Sequence, residues 1–145
     1  MTKRRKSRES ALQVLYQSAI TKQDGQKGLA HFREHFSEKE EEDPFRDRLV
    51  EGVLVHYEEI DQLIRRCSEN WRLDRIAPID RTILRMAIFE LLYCEDIPPK
   101  VALNEAVDLG KRFGSENSGG FINGILDRIL NETVRKRGQS ASVKP

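Results

Sequence analysis

Apolar residues in this chain recur at intervals of three and four and never alternate over a sustained stretch. That rhythm suits helices and excludes a half-buried sheet. The run Ile79, Ile83, Leu84, Ala87, Ile88, Leu91 and Leu92 is apolar over the widest arc, which predicts the central, most buried helix. Ala11, Leu12, Leu15, Tyr16, Ala19 and Ile20 line one face of a first helix that stops at Asp24-Gly25. Leu29, Phe32 and Phe36 mark a short second one. Asp43-Pro44 reads as an N-cap followed by Pro at the first helical position. The stripe from Phe45 to Cys67 is long for one helix, so a break is expected near His56. Ile97-Pro98-Pro99 stops the central helix and opens the next, which Gly114 closes as a C′ residue. After a Ser115–Gly120 loop, a last helix buries Phe121, Ile122, Ile125, Leu126, Ile129 and Leu130. The expectation is an all-α, compact bundle of six to seven helices.

With 145 residues the chain fits one domain able to bury a core of its own. We expect that domain over residues 9–134, between a basic segment 1–8 and a basic, disordered tail 135–145. No stretch approaches the roughly 20 apolar residues of a membrane helix. Residues 11–20 are interrupted by Gln13 and Gln17 and make a poor signal-peptide core. Cys67 and Cys94 have no metal-ligand spacing and sit in apolar stripes, as small hydrophobes do. A reduced, cytoplasmic location is the expectation.

The net charge of +1 conceals a strong segregation. Lys3, Arg4, Arg5, Lys6 and Arg8 stand together with no acid among them, and no acid follows Glu132. Glu38 to Asp43 is an acidic run. Basic ends fit anion binding, nucleic acid above all, and equally fit a solvated tail.

Catalytic constellations are scarce. His31-Phe32-Arg33-Glu34-His35 matches the inverted zinc-protease pattern H-x-x-E-H, but no third ligand or cleft accompanies it, and a solvated helix face is the better reading. Gly110 to Gly114 and Ser118 to Gly120 lack the spacing of a phosphate-binding loop. Glu90, Glu95 and Asp96 read as solvated acids, and His56 as a satisfied, half-buried histidine. The Ser115–Gly120 loop, opening a helix, is a better anion site. Phe121 beside its glycines reads as core first and as a stacking platform second.

Four ordered blocks carry a family resemblance. Arg4-Arg5-Lys6-Ser7-Arg8-Glu9 leads into Ala11-Leu12-Gln13-Val14-Leu15-Tyr16; Ile79 to Leu91 follows, then Ile97-Pro98-Pro99-Lys100-Val101-Ala102-Leu103-Asn104-Glu105-Ala106-Val107, and Phe121 to Asp127 closes the set. At this spacing, over residues about 4–130, the chain resembles the NusB family of transcription antitermination factors. The resemblance implies two packed helical subdomains, no enzymatic activity, and neither cofactor nor metal. It implies binding of single-stranded boxA RNA in ribosomal RNA transcripts with NusE, the small-subunit ribosomal protein, so that RNA polymerase reads through terminators. Some members self-associate, so a homodimer is a further expected partner.

By position, Lys3, Arg4, Arg5, Lys6 and Arg8 would form an RNA-binding arm over residues 1–8. Asn117, Ser118 and Phe121 would border the same RNA. Tyr16, Asp74 and Asp80 match positions that meet NusE, and acids suit a basic partner. Asn104 and Asn123, poor helix formers in the strongest blocks, are expected as buried side chains bonding backbone rather than as RNA contacts. Two rival readings stand beside this one. The first is a helical protein–protein interaction module without direct RNA binding. The second is the NusB-like domain that precedes a methyltransferase, disfavoured because the chain ends at Pro145 with no strand series or Rossmann glycine loop.

Overall fold

The computed structural model describes residues 3–21, 25–36, 43–68 and 73–142. Among them are seven α-helices: α1 (Lys3–Ile20), α2 (Gly25–Phe36), α3 (Pro44–Val55), α4 (Tyr57–Cys67), α5 (Pro78–Tyr93), α6 (Pro99–Phe113) and α7 (Ser118–Ser142). A 3₁₀ turn, Leu73–Arg75, precedes α5, and no strand occurs among the described residues. Helices α1 to α3 pack on one another, as do α4 to α7, and α5 touches both groups. One continuous core joins the two subdomains.

The central position of α5 follows from its composition. Every residue from Thr82 to Leu91 is buried, so this helix presents no solvated face over most of its length. Such a helix is stable only when covered all round. Gly52 of α3 makes one of these contacts close: a Cβ there would collide with the Phe89 ring.

The break at His56 is present. Val55 ends α3 and Tyr57 begins α4, with the His56 backbone N–H closing the first helix on the Gly52 carbonyl. His56 is half-buried and stacks on Tyr93, 3.9 Å between ring centroids. Asp43 caps α3 as expected, its Oδ1 accepting from the Arg46 N–H at 3.1 Å. The same oxygen accepts from the Ser7 hydroxyl at 2.6 Å, which ties the start of α1 to the start of α3. Both cysteines are free and buried, and burial pushes both thiols up from their ordinary range.

Three expectations about helix ends are corrected. The basic segment is no separate arm, because residues 3–8 are the first turns of α1. The tail expected to be disordered from residue 135 continues α7 to Ser142, helped by the helix formers Glu132, Arg135, Lys136 and Arg137. Gly114 is the cap of α6 itself, with φ −95°, and no left-handed conformation is involved. Glycine is required there because a Cβ would collide with the Ser118 side chain.

Candidate nucleic-acid interface

The basic residues at the start of α1 divide by helical face. Ala11 and Leu12 are buried, and the positions three and four residues earlier on the same face are Ser7 and Arg8. Arg8 is accordingly buried, 3% exposed. Its guanidinium meets the Glu90 carboxylate, with Nη2 2.6 Å from Oε1 and Nε 3.1 Å from Oε2. Arg8 is thereby withdrawn from any surface contact, and Glu90, expected in solvent, is 2% exposed. Burial pushes the Glu90 carboxyl up, and the adjacent Arg8 charge pulls it back.

Lys3, Arg4 and Lys6 are exposed and Arg5 is half-buried. Acids of the opposite subdomain hold two of them. Arg4 lies 3.5 Å from Asp96 and packs over the Phe45 ring at 4.6 Å. Arg5 bonds Glu105 at 3.2 and 3.4 Å. Asp96 is also gripped by Arg48, at 2.6 and 3.0 Å, and that contact holds its carboxyl well below the usual range. Arg112 of α6 pairs with Glu9. The surface is therefore a mixed lattice of charge with a basic edge.

A second feature lies at the other end of α5. A cavity of about 270 Å³ opens between the 3₁₀ turn, the start of α5 and the α6–α7 connection. Arg75, Ala77, Asp80, Ser115, Asn117 and Phe121 line it. The sequence separates these residues widely, and the fold brings Asp80 together with Asn117 and Phe121. Asp80 is 6% exposed, and among the described residues its Oδ1 has no hydrogen-bond donor. Phe121 is half-buried and Asn117 exposed.

Ser118 does not belong to an exposed site. It is 1% exposed, and its Oγ accepts from the Ser115 N–H at 2.9 Å, so its work is to close the α6–α7 turn. Asn104 and Asn123 are both exposed, which reverses the expectation of buried amides: each sits on the solvent face of its helix. Tyr16 is half-buried on α1. The Arg4–Asp96 and Arg8–Glu90 contacts set α1 antiparallel to α5, so Tyr16 runs back toward the end of α5 that carries Asp80. Asp74 falls in the 3₁₀ turn, with its side chain outside the described residues. The acidic residues 38–42 also lie outside them, as does the side chain of His35 from the H-x-x-E-H match. His31 and Glu34 are exposed, as on a solvated face.

Asp80 and Glu90 are ten positions apart on one helix, about 15 Å of axial rise. The basic edge and the cavity are thus two separate features on a common rod. No described helix is long and apolar enough to cross a membrane.

Known proteins share this architecture and much of the sequence. The NusB family model matches residues 5–131. The transcription antitermination protein NusB of Syntrophus aciditrophicus is 46% identical over 145 residues, all of this chain and 90% of that protein. That of Bacillus subtilis is 44% identical over 130 residues, 90% of this chain and 96% of its own. The T. maritima NusB structure superposes with a TM-score of 0.75 at 37% identity, covering 91% of this chain and 93% of that one. A crystal structure of the antitermination factors NusB and NusE in complex with dsRNA contains a chain that superposes with a TM-score of 0.72 at 27% identity, over 91% and 98% of the two. Sequence match and fold coincide along nearly the whole length, and the chain belongs to the NusB family.

Proposed function

We propose that this chain is an RNA-binding transcription antitermination factor. It takes a boxA-type single-stranded element of ribosomal RNA transcripts together with a NusE-type ribosomal protein, and joins the RNA polymerase complex that reads through terminators. The observation that carries the reading is the start of α1. There the buried Arg8–Glu90 pair fixes a rigid helix end from which Lys3, Arg4, Arg5 and Lys6 face outward or toward the surface. Fixed cations of this kind suit phosphates, and Arg adds stacking on unpaired bases. The NusB–NusE structure with RNA supports the same reading by likeness. Tyr16, Asp74 and Asp80 are assigned to the ribosomal-protein contact, where acids complement a basic partner.

The test measures binding of a boxA-type RNA with and without NusE, for the wild type and a Lys3/Arg4/Arg5/Lys6→Ala variant, across a salt series. Each phosphate contact should add about −0.7 to the log–log salt slope for single strands. The variant should flatten that slope in proportion to the phosphates it no longer neutralises. Equal affinity in variant and wild type removes the α1 assignment. A wild type that binds NusE but no RNA under any condition would leave a helical interaction module. Asp80→Lys should weaken NusE binding with helical circular dichroism unchanged.

A further inference from the structure

Arg4 and Arg8 stand about one turn apart on the same face of α1. Both guanidinium groups lie over one ring, that of Phe45, at 4.6 and 5.1 Å from its centroid. Beyond that shared contact the two side chains part. Arg8 turns inward and gives Nε and Nη2 to Glu90. Arg4 stays at the surface, its side chain 51% exposed.

The ring is fixed independently of Arg4. Phe45 is half-buried, packs against the core, and sits two residues after Asp43, the cap of α3. Asp43 accepts from the Ser7 hydroxyl at 2.6 Å, and Ser7 lies between Arg4 and Arg8 in the sequence. That bond sets the register in which the first turn of α3 meets the two arginines of α1.

We infer that Phe45 is a positioning residue for RNA recognition: its ring holds the Arg4 guanidinium at the surface while leaving that group's hydrogens for a phosphate. The inference rests on the RNA-binding reading above. A cation over a ring face is held by the ring quadrupole and gives up no hydrogen-bond donor. A carboxylate holds a guanidinium through the same donors a phosphate would use. The neighbours show the contrast. Arg5 commits Nε and Nη2 to Glu105, at 3.2 and 3.4 Å. Asp96, the acid beside Arg4, is gripped by Arg48 at 2.6 and 3.0 Å and meets Arg4 only at 3.5 Å. Most of the Asp96 charge is thus answered by Arg48, and the ring is the better-defined support for Arg4. A long side chain already ordered in the free protein loses less freedom when it binds, which is where the ring contributes affinity.

The test measures affinity for a boxA-type RNA by fluorescence anisotropy, with NusE present. The proteins are the wild type, Arg4→Ala, Arg5→Ala, Phe45→Leu, Phe45→Tyr and the Arg4→Ala/Phe45→Leu double variant. Phe45→Leu should weaken binding about two- to five-fold, the scale of an exposed cation–π contact. Phe45→Tyr keeps a ring and should bind as the wild type does. In the Arg4→Ala background Phe45→Leu should cost nothing further, because the ring acts through that arginine. Arg5→Ala should lose less than Arg4→Ala. Helical circular dichroism confirms the fold of each variant, and Phe45→Met takes the place of Phe45→Leu should the latter not fold. Unchanged affinity in Phe45→Leu, a loss that persists undiminished in the Arg4→Ala background, or a larger loss from Arg5→Ala than from Arg4→Ala overturns the inference. The two failures are distinct. A wild type that binds no RNA removes the broader reading along with this one, whereas a chain that binds RNA without coupling between Arg4 and Phe45 loses the positioning role alone.

Discussion

Arg8 and Glu90 face each other in the interior, 2.6 Å apart at their nearest atoms, with side chains 4% and 3% exposed. Two oxygens and two nitrogens share three hydrogen bonds, so each charge is offset by the other. Removing one partner strands the other in a dry site. Arg8→Ala should therefore cost about 3–5 kcal/mol, whereas Arg8→Met with Glu90→Leu should be close to neutral or stabilising. Urea unfolding of the three proteins checks this. A single variant that loses under about 1 kcal/mol would show that water reaches the pair.

The acids that hold Arg4 and Arg5 compete with any phosphate for the same guanidinium groups. Asp96→Asn combined with Glu105→Gln should raise RNA affinity about two- to five-fold at low salt, the scale of exposed ion pairs, with the gain shrinking as salt rises. Fluorescence anisotropy of labelled RNA reads it directly. Weaker binding in the double variant would show that the acids position the arginines for RNA.

Asp96 also gives an acid signature. Its carboxyl is depressed chiefly by the hydrogen bond from Arg48. A depressed acid contributes stability above its unfolded value, about 3.9, and loses it as pH falls through the folded value. The tie of α1 and α3 to the α5–α6 connection should thus be intact at pH 5 and weaken progressively below about pH 4. Asp96→Asn should flatten that part of the stability–pH curve.

Tyr93 donates to Glu59 at 2.5 Å beside the His56 ring. Burial, then this hydrogen bond, pushes its phenol up to about 12. A raised phenol contributes stability fully present below its unfolded value, about 10, and lost as pH climbs through the folded one. Ultraviolet titration should show an ionisation delayed to about pH 12 that Tyr93→Phe removes.

Gly52 is a test of packing at the centre. A Cβ there meets the ring of Phe89, itself 6% exposed on α5. Gly52→Ala gains helix propensity of about 1 kcal/mol and loses about 1–3 kcal/mol to overpacking. A net loss in thermal stability is expected, and Phe89→Leu in the same chain should recover part of it.

The sequence made helices, boundaries and the centrality of α5 legible because periodicity and caps are local. Asp43-Pro44 and the His56 break are visible in a few neighbouring residues. Burial of charge was missed where composition outweighed period. Arg8 sits four before Leu12, and Glu90 sits three after Ala87, so the stripes themselves pass through both. The two asparagines failed in the opposite sense, since a poor helix former on a solvent face needs no buried partner. Nothing local joins residues 75–80 to 115–121, and the cavity they share emerges only from packing.

Helix α5 carries Asp80 near one end and Glu90, the anchor of α1, toward the other. A helix enclosed along its length can neither bend nor twist independently of its surroundings. The interval between the basic edge and the cavity is consequently a constant of the molecule, set by backbone rise and not by side-chain reach. Whatever engages the two features therefore meets them at a fixed separation, as the jaws of a locked caliper would hold it.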